Sequence, residues 1–318
     1  MRGVRETALA VSDENDDRLD RLTNVLSNPL AYTVNEPVLL DKLEEFLSPK
    51  PAKLVNSDAE EQSLNKRVDE LQRNLGGVPR LIISKDGEPP PTYDVYAEAA
   101  LSEMLSAFHR CRRSVVRTHM HYIGLGLSDR YDQFLDIPDD EELKNGLSGL
   151  VEERFWEHAE TSFIRLASYW DRVGQLFDFV YFNIRQYERD GFASVMQRIA
   201  VNFAVMDAIL KTSSDWEQLS KYKRSENQDG FVWLARRRNL IVHSLYLRRI
   251  ENDTDEESLF LSEYNHLEAA VRRKLLPGSP EEELRTLHEQ LKQAASLVPA
   301  ILGVAEHGAR LNRREERL

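Results

Sequence analysis

Apolar residues recur at helical spacing along most of this chain. The longest such stretch covers 150–187, where Phe155, Ala159, Phe163, Leu166, Trp170, Val173, Phe177 and Val180 form one continuous stripe, the pattern of a central helix in a bundle. A second stretch over 97–127 carries Leu101, Met104, Leu105, Phe108, Val115, Val116 and Met120 at the same spacing, with Gly124 and Gly126 predicted to end it. Two more helices are predicted over 192–211 and 231–250, separated by the polar loop around 225–230. Four long helices without a two-residue alternation between them predict a mainly α, up-and-down helical bundle.

The flanks carry weaker signals. Residues 1 to about 34 are polar, with a short helix expected near 17–26. Asn35-Glu36-Pro37 reads as a helix start and Ser48-Pro49-Lys50-Pro51 as its end. Ser57-Asp58-Ala59-Glu60 is a capping box for a helix closed by Gly76-Gly77. Leu81-Ile82-Ile83-Ser84 and Tyr93-Asp94-Val95-Tyr96 flank Lys85-Asp86-Gly87 and three prolines, which predicts a small β-hairpin in the N-terminal extension. Past the bundle, a helix is expected over 256–276. Another starts at Ser279-Pro280-Glu281-Glu282, and Pro299 should kink or end it. The expected division is an N-terminal extension over 1–90, a bundle over 91–250 and C-terminal helices over 251–318.

Composition narrows the setting. Of 318 residues, 41% are hydrophobic, enough for a large core. A single cysteine, Cys111, excludes an internal disulfide and a cysteine-built zinc site, which fits a cytoplasmic protein. No apolar run is long enough for a bilayer, and Met1 to Val11 lack the apolar core of a secretion signal, so no membrane partner is expected. The net charge of −12 argues against a surface coated for non-specific nucleic-acid binding. Two segments run against that average. Residues 104–127 hold Arg110, Arg112, Arg113 and Arg117 beside His109, His119 and His121 with no acid, and residues 221–250 hold eight basic residues against Glu226 and Asp229. Basic patches on an acidic body suit a confined polyanion groove, or simply solvated helix faces.

The chain lacks GxGxxG, GxxxxGK, HExxH and GxSxG, so nucleotide-fold, zinc-protease and serine-hydrolase chemistry lose their usual marks. His119 and His121, two apart on a helix, point to different faces and form no metal pair, and neither metal nor cofactor is expected. The remaining candidate is Arg238-Asn239-Leu240-Ile241-Val242-His243, an R-x-x-x-x-H segment inside the basic fourth helix. Arginine followed by asparagine, an apolar interior and a closing histidine on a late bundle helix resembles the HEPN superfamily over about residues 97–250. That resemblance implies a ribonuclease-like domain of antiviral or toxin-type defence, acting without metal as a homodimer with a composite site at its interface, and open to a protein regulator. The tyrosine that some members carry two residues after the histidine is Leu245 here, so tyrosine modification is not carried over.

Carried onto these residues, the implied reaction is attack of an RNA 2′-hydroxyl on the adjacent phosphorus to leave a 2′,3′-cyclic phosphate. His243 would move protons and Arg238 would stabilise charge on the phosphate oxygens. Asn239, Tyr246 and Asp171 are supporting candidates, with Glu157 and Glu160 weaker acidic ones. Arg236, Arg237, Arg248, Arg249, Arg113 and His119 are candidate RNA contacts. On an ideal helix Arg238 and His243 stand roughly 140° apart, which favours a site built from two chains. The alternative is a non-catalytic helical interaction or RNA-binding module, with Arg238 paired to an acid and His243 packed.

Overall fold

The computed structural model describes residues 34–75, 93–128, 130, 141–182, 191–204, 207–243 and 278–315, and among these every regular element is helical. The expected mainly α class therefore holds. Two compact units divide after Lys50. In the first, a helix over 34–44 (α1) includes the predicted start at Asn35-Glu36-Pro37. It has Leu40 buried and Val38 and Leu39 exposed.

The second unit runs α2 (Asp58–Leu75), α3 (Tyr93–Leu127), α4 (Glu141–Phe182), α5 (Phe192–Ile199), α6 (Ala208–Lys211), α7 (Ser214–Arg224), α8 (Phe231–His243), α9 (Pro280–Ser296) and α10 (Val298–Glu315). Its centre is α4. The predicted stripe from Phe155 to Val180 is buried throughout, and α3, α5, α8, α9 and α10 all pack against this helix. The C-terminal helices supply Leu287, Leu291, Ile301 and Ala305 to the same core, so they are structural members of this unit.

Local chemistry explains most boundaries. Ser57 accepts the Glu60 amide at 3.3 Å at the start of α2, although the Glu60 carboxylate caps the Asn56 amide instead of closing a reciprocal box with Ser57. At α9 the box is complete: Ser279 and Glu282 each accept the other's backbone amide, and Pro280 takes the first turn. The break expected at Pro299 occurs, since α9 ends at Ser296 and Pro299 lies in the first turn of α10.

Three expectations are corrected. Tyr93-Asp94-Val95-Tyr96 is not a strand but the first turn of α3; these four residues run directly into Ala97-Glu98-Ala99-Ala100, whose helix preference extends back through them. The helix predicted over 192–211 is interrupted: α5 widens into a π-helical turn, Ala200–Ala204, and extended Asp207 caps α6 by accepting from Ile209 and Leu210. Sequence periodicity also missed α7, which the Ser213 hydroxyl caps. The expected helices near 17–26 and over 256–276, the segment 81–84 and Gly76-Gly77 lie outside the described residues.

Candidate active site

The turn before α8 is fixed from α9. Gln290 donates to the carbonyls of Gln228 at 2.6 Å and Gly230 at 3.1 Å, and Tyr222 donates to its side-chain oxygen at 3.3 Å. Gly230 is required here, because a Cβ would stand 2.4 Å from the Ser225 carbonyl oxygen. From this anchor α8 runs as regular helix through the whole of Arg238 to His243.

Trp233, Leu234, Arg237 and Leu240 form the inward face of α8. Arg237 is wholly shut from water and pairs with buried Glu283 of α9, whose carboxylate also accepts the Gly278 amide at 2.8 Å. Its guanidinium lies 5.5 Å from the centre of the Phe163 ring and 5.6 Å from that of Trp233, within cation–π range. Arg237, expected to contact RNA, is thus an internal ion-pair residue in this conformation. The sequence could not distinguish it from its neighbours, because the acid that draws it inward lies beyond the bundle.

Arg238, one residue and about 100° further round the helix, is only partly buried. It donates to the Asn239 side-chain oxygen at 3.0 Å, and Asn239 is exposed. Across from it stands Asp171 of α4. Desolvation raises the Asp171 carboxyl above the usual aspartate range, while the Arg238 guanidinium, a hydrogen bond from the Phe192 amide and Arg172 pull it down. Asp171, a supporting candidate, thus lies within electrostatic reach of Arg238. A close approach makes it possible: a Cβ on Gly174 would lie 2.8 Å from the Phe192 nitrogen, so only glycine lets the start of α5 lie on α4 one turn from Asp171.

The other candidates separate. Arg236 is partly exposed and pairs with Glu226 at 3.3 Å. Arg113 is exposed on α3. His119 is buried, its ring nitrogen 3.1 Å from that of His288 on α9, and burial lowers its pKa. In this conformation it faces the interior. The described part of α8 reaches the backbone of His243, whereas its side chain and Tyr246, Arg248 and Arg249 lie outside the described residues. Sequence reasoning passed over Arg172 and Glu283. Arg172 had a readable signal, since it repeats the position of Arg165 two turns along α4.

Among the described residues no group of three or more histidine, cysteine or acidic side chains is placed to hold a metal ion, and no helix is long and apolar enough to cross a membrane. A polar recess of about 300 Å³ lies between Asn227, Gln228 and Asp229 and the α9 residues Arg285, Thr286 and Glu289; it does not include Arg238 or Asp171. No family model, no curated protein and no solved structure matches this chain.

Proposed function

We propose that this chain is a metal-independent endoribonuclease of HEPN-like design, cleaving RNA by 2′-hydroxyl attack to a 2′,3′-cyclic phosphate in an antiviral or toxin-type setting in the cytoplasm. The observation that carries the reading is the sorting of adjacent arginines on α8. Arg237 is consumed by the core, while Arg238 stays partly exposed, hydrogen-bonded to Asn239 and within electrostatic reach of Asp171, on the helix that carries His243. A guanidinium oriented by an amide, with a carboxylate in electrostatic reach, and still open to solvent, suits the growing charge of a phosphoryl transition state. The regular helix leaves Arg238 and His243 roughly 140° apart, which supports a composite site completed by a second copy.

Incubation of the purified protein with single-stranded RNA and tRNA in EDTA tests the reading. Cleavage to cyclic-phosphate ends, abolished by Arg238→Ala and by His243→Ala with helicity and dimerisation preserved, is the expected result. Intact RNA with the unaltered protein, with or without added metal, favours the interaction module, for which the hydrogen bond that ties Arg238 to Asn239 is the supporting observation.

A further inference from the structure

The site on α8 does not end at Asp171. Both Arg238 and Arg172 act on the carboxylate of Asp171, itself an exposed residue of α4. Arg172 in turn lies 3.4 Å from Glu103 of α3, and the same Glu103 oxygen pairs with Arg110 at 2.8 Å. Arg165, two turns before Arg172 on α4, donates to the Arg110 carbonyl at 3.4 Å. Two guanidiniums, Arg172 and Arg110, thus share the Glu103 carboxylate at the α3–α4 seam, and with Arg165 beside them the seam keeps a net positive charge.

The series continues along α3. Arg110, Arg113 and Arg117 stand at three- and four-residue steps on one helix face, neighbours roughly 5–6 Å apart. Arg110 and Arg113 are exposed and Arg117 partly so; among the described residues no carboxylate pairs with Arg113. The opposite face of α3, with Leu101, Met104, Phe108 and Val115, is in the core, which holds the arginines outward in a fixed row.

We infer that this row, from Arg172 through Arg110 to Arg113 and Arg117, is a single-stranded RNA track that binds the phosphates flanking the one held at Arg238. The inference rests on the ribonuclease reading for the choice of polyanion. Spacing argues for a strand: evenly stepped guanidiniums on a rigid helix match a linear series of phosphates, whereas a compact anion would need them converging. The carboxylates of Glu103 and Asp171 neutralise part of the row in the free protein, so RNA displaces internal partners as well as counterions. Affinity should accordingly be modest and strongly dependent on salt.

The test uses the full chain and a fluorescein-labelled 20-nucleotide single-stranded RNA, with anisotropy measured across a series of KCl concentrations. His243→Ala serves as the background to keep the RNA whole. Adding Arg113→Gln and Arg117→Gln should weaken binding by about tenfold at low salt and reduce the slope of log affinity against log salt by about 1.4, or 0.7 per charge for a single strand. Lys66→Gln with Arg73→Gln on α2 removes the same charge elsewhere and should leave both quantities nearly unchanged. Equal losses in the two pairs, no loss in the α3 pair, or failure of the background protein to bind the RNA would overturn the track. Cleavage by the unaltered protein is scored separately. Its absence beside a selective α3 effect removes the nuclease reading and leaves the track standing.

Discussion

Arg237 of α8 and Glu283 of α9 form an ion pair shut away from water, and this one pair decides what the neighbouring arginines can do. A buried guanidinium must be neutralised, so α8 cannot rotate without stranding a charge in the core. With Arg237 fixed inward, helical geometry sets Arg238 about 100° away, on the side where Asp171 stands. The core thereby orients the proposed site.

Breaking the pair on one side should be severe. Arg237→Ala or Glu283→Ala leaves an uncompensated buried charge and is expected to destabilise the protein by about 3–5 kcal/mol. Replacing both by apolar residues, Arg237→Met with Glu283→Leu, should recover most of that loss. Chemical denaturation followed by circular dichroism reads the difference, and a double variant as unstable as either single one would contradict this account.

Much of this arrangement is legible in the sequence, and the division follows the range of the interactions. The α4 stripe, the capping box at Ser279 and the break at Pro299 depend on residues within a few positions of each other. The fate of Arg237 depends on Glu283, 46 residues later, and of His119 on His288, 169 residues later. No local pattern marks an arginine or histidine for burial when its partner arrives from so far along the chain. The missed α7 is a different case. It buries only Leu219 and Tyr222, too little for a periodic signal, but Ser213 followed by Asp215 and Glu217 and ending in Lys221, Lys223 and Arg224 is the charge order of a helix. Asp171 was legible as an acidic candidate, though its hydrogen bond to the start of α5 was not.

Acidification should act through the paired imidazoles between α3 and α9. Burial, with His119 adding to it, pushes His288 down to about 4, and burial lowers His119 as well. Both are neutral in the folded protein at pH 7. As pH falls below the ordinary histidine value near 6.5, the unfolded chain takes up protons that the folded chain refuses, so stability declines between about 6.5 and 4. For His288 alone the full loss is on the order of 3 kcal/mol. His288→Gln keeps a polar partner for His119 but cannot titrate, and urea midpoints at pH 7 and pH 5 should lie closer together in that variant. An unchanged gap would remove the histidine pair as the cause.

Gly174→Ala tests how the start of α5 is positioned. The added methyl would meet the Phe192 nitrogen at 2.8 Å and its Cα at 2.9 Å, both backbone atoms with little room to yield. Overpacking of this kind costs about 1–3 kcal/mol. Because the Phe192 amide donates to Asp171, the shift should also weaken the hold on Arg238, so RNA cleavage should fall by more than the loss of folded protein explains. Activity per folded molecule, normalised by circular dichroism, is the measurement.

Asp171→Asn separates positioning from charge at the same place. The amide oxygen can still accept from Phe192, so α5 should stay capped and the stability change should remain below about 1 kcal/mol. What disappears is the negative charge on which both Arg238 and Arg172 act. If that charge orients Arg238 for the scissile phosphate, cleavage should fall about tenfold while RNA affinity rises, because the variant carries one repulsion fewer toward the backbone phosphates. Asp171→Glu, which keeps the charge, should restore part of the rate. A cleavage rate that rises together with affinity would mean that Asp171 only restrains binding, leaving Asn239 as the group that orients Arg238.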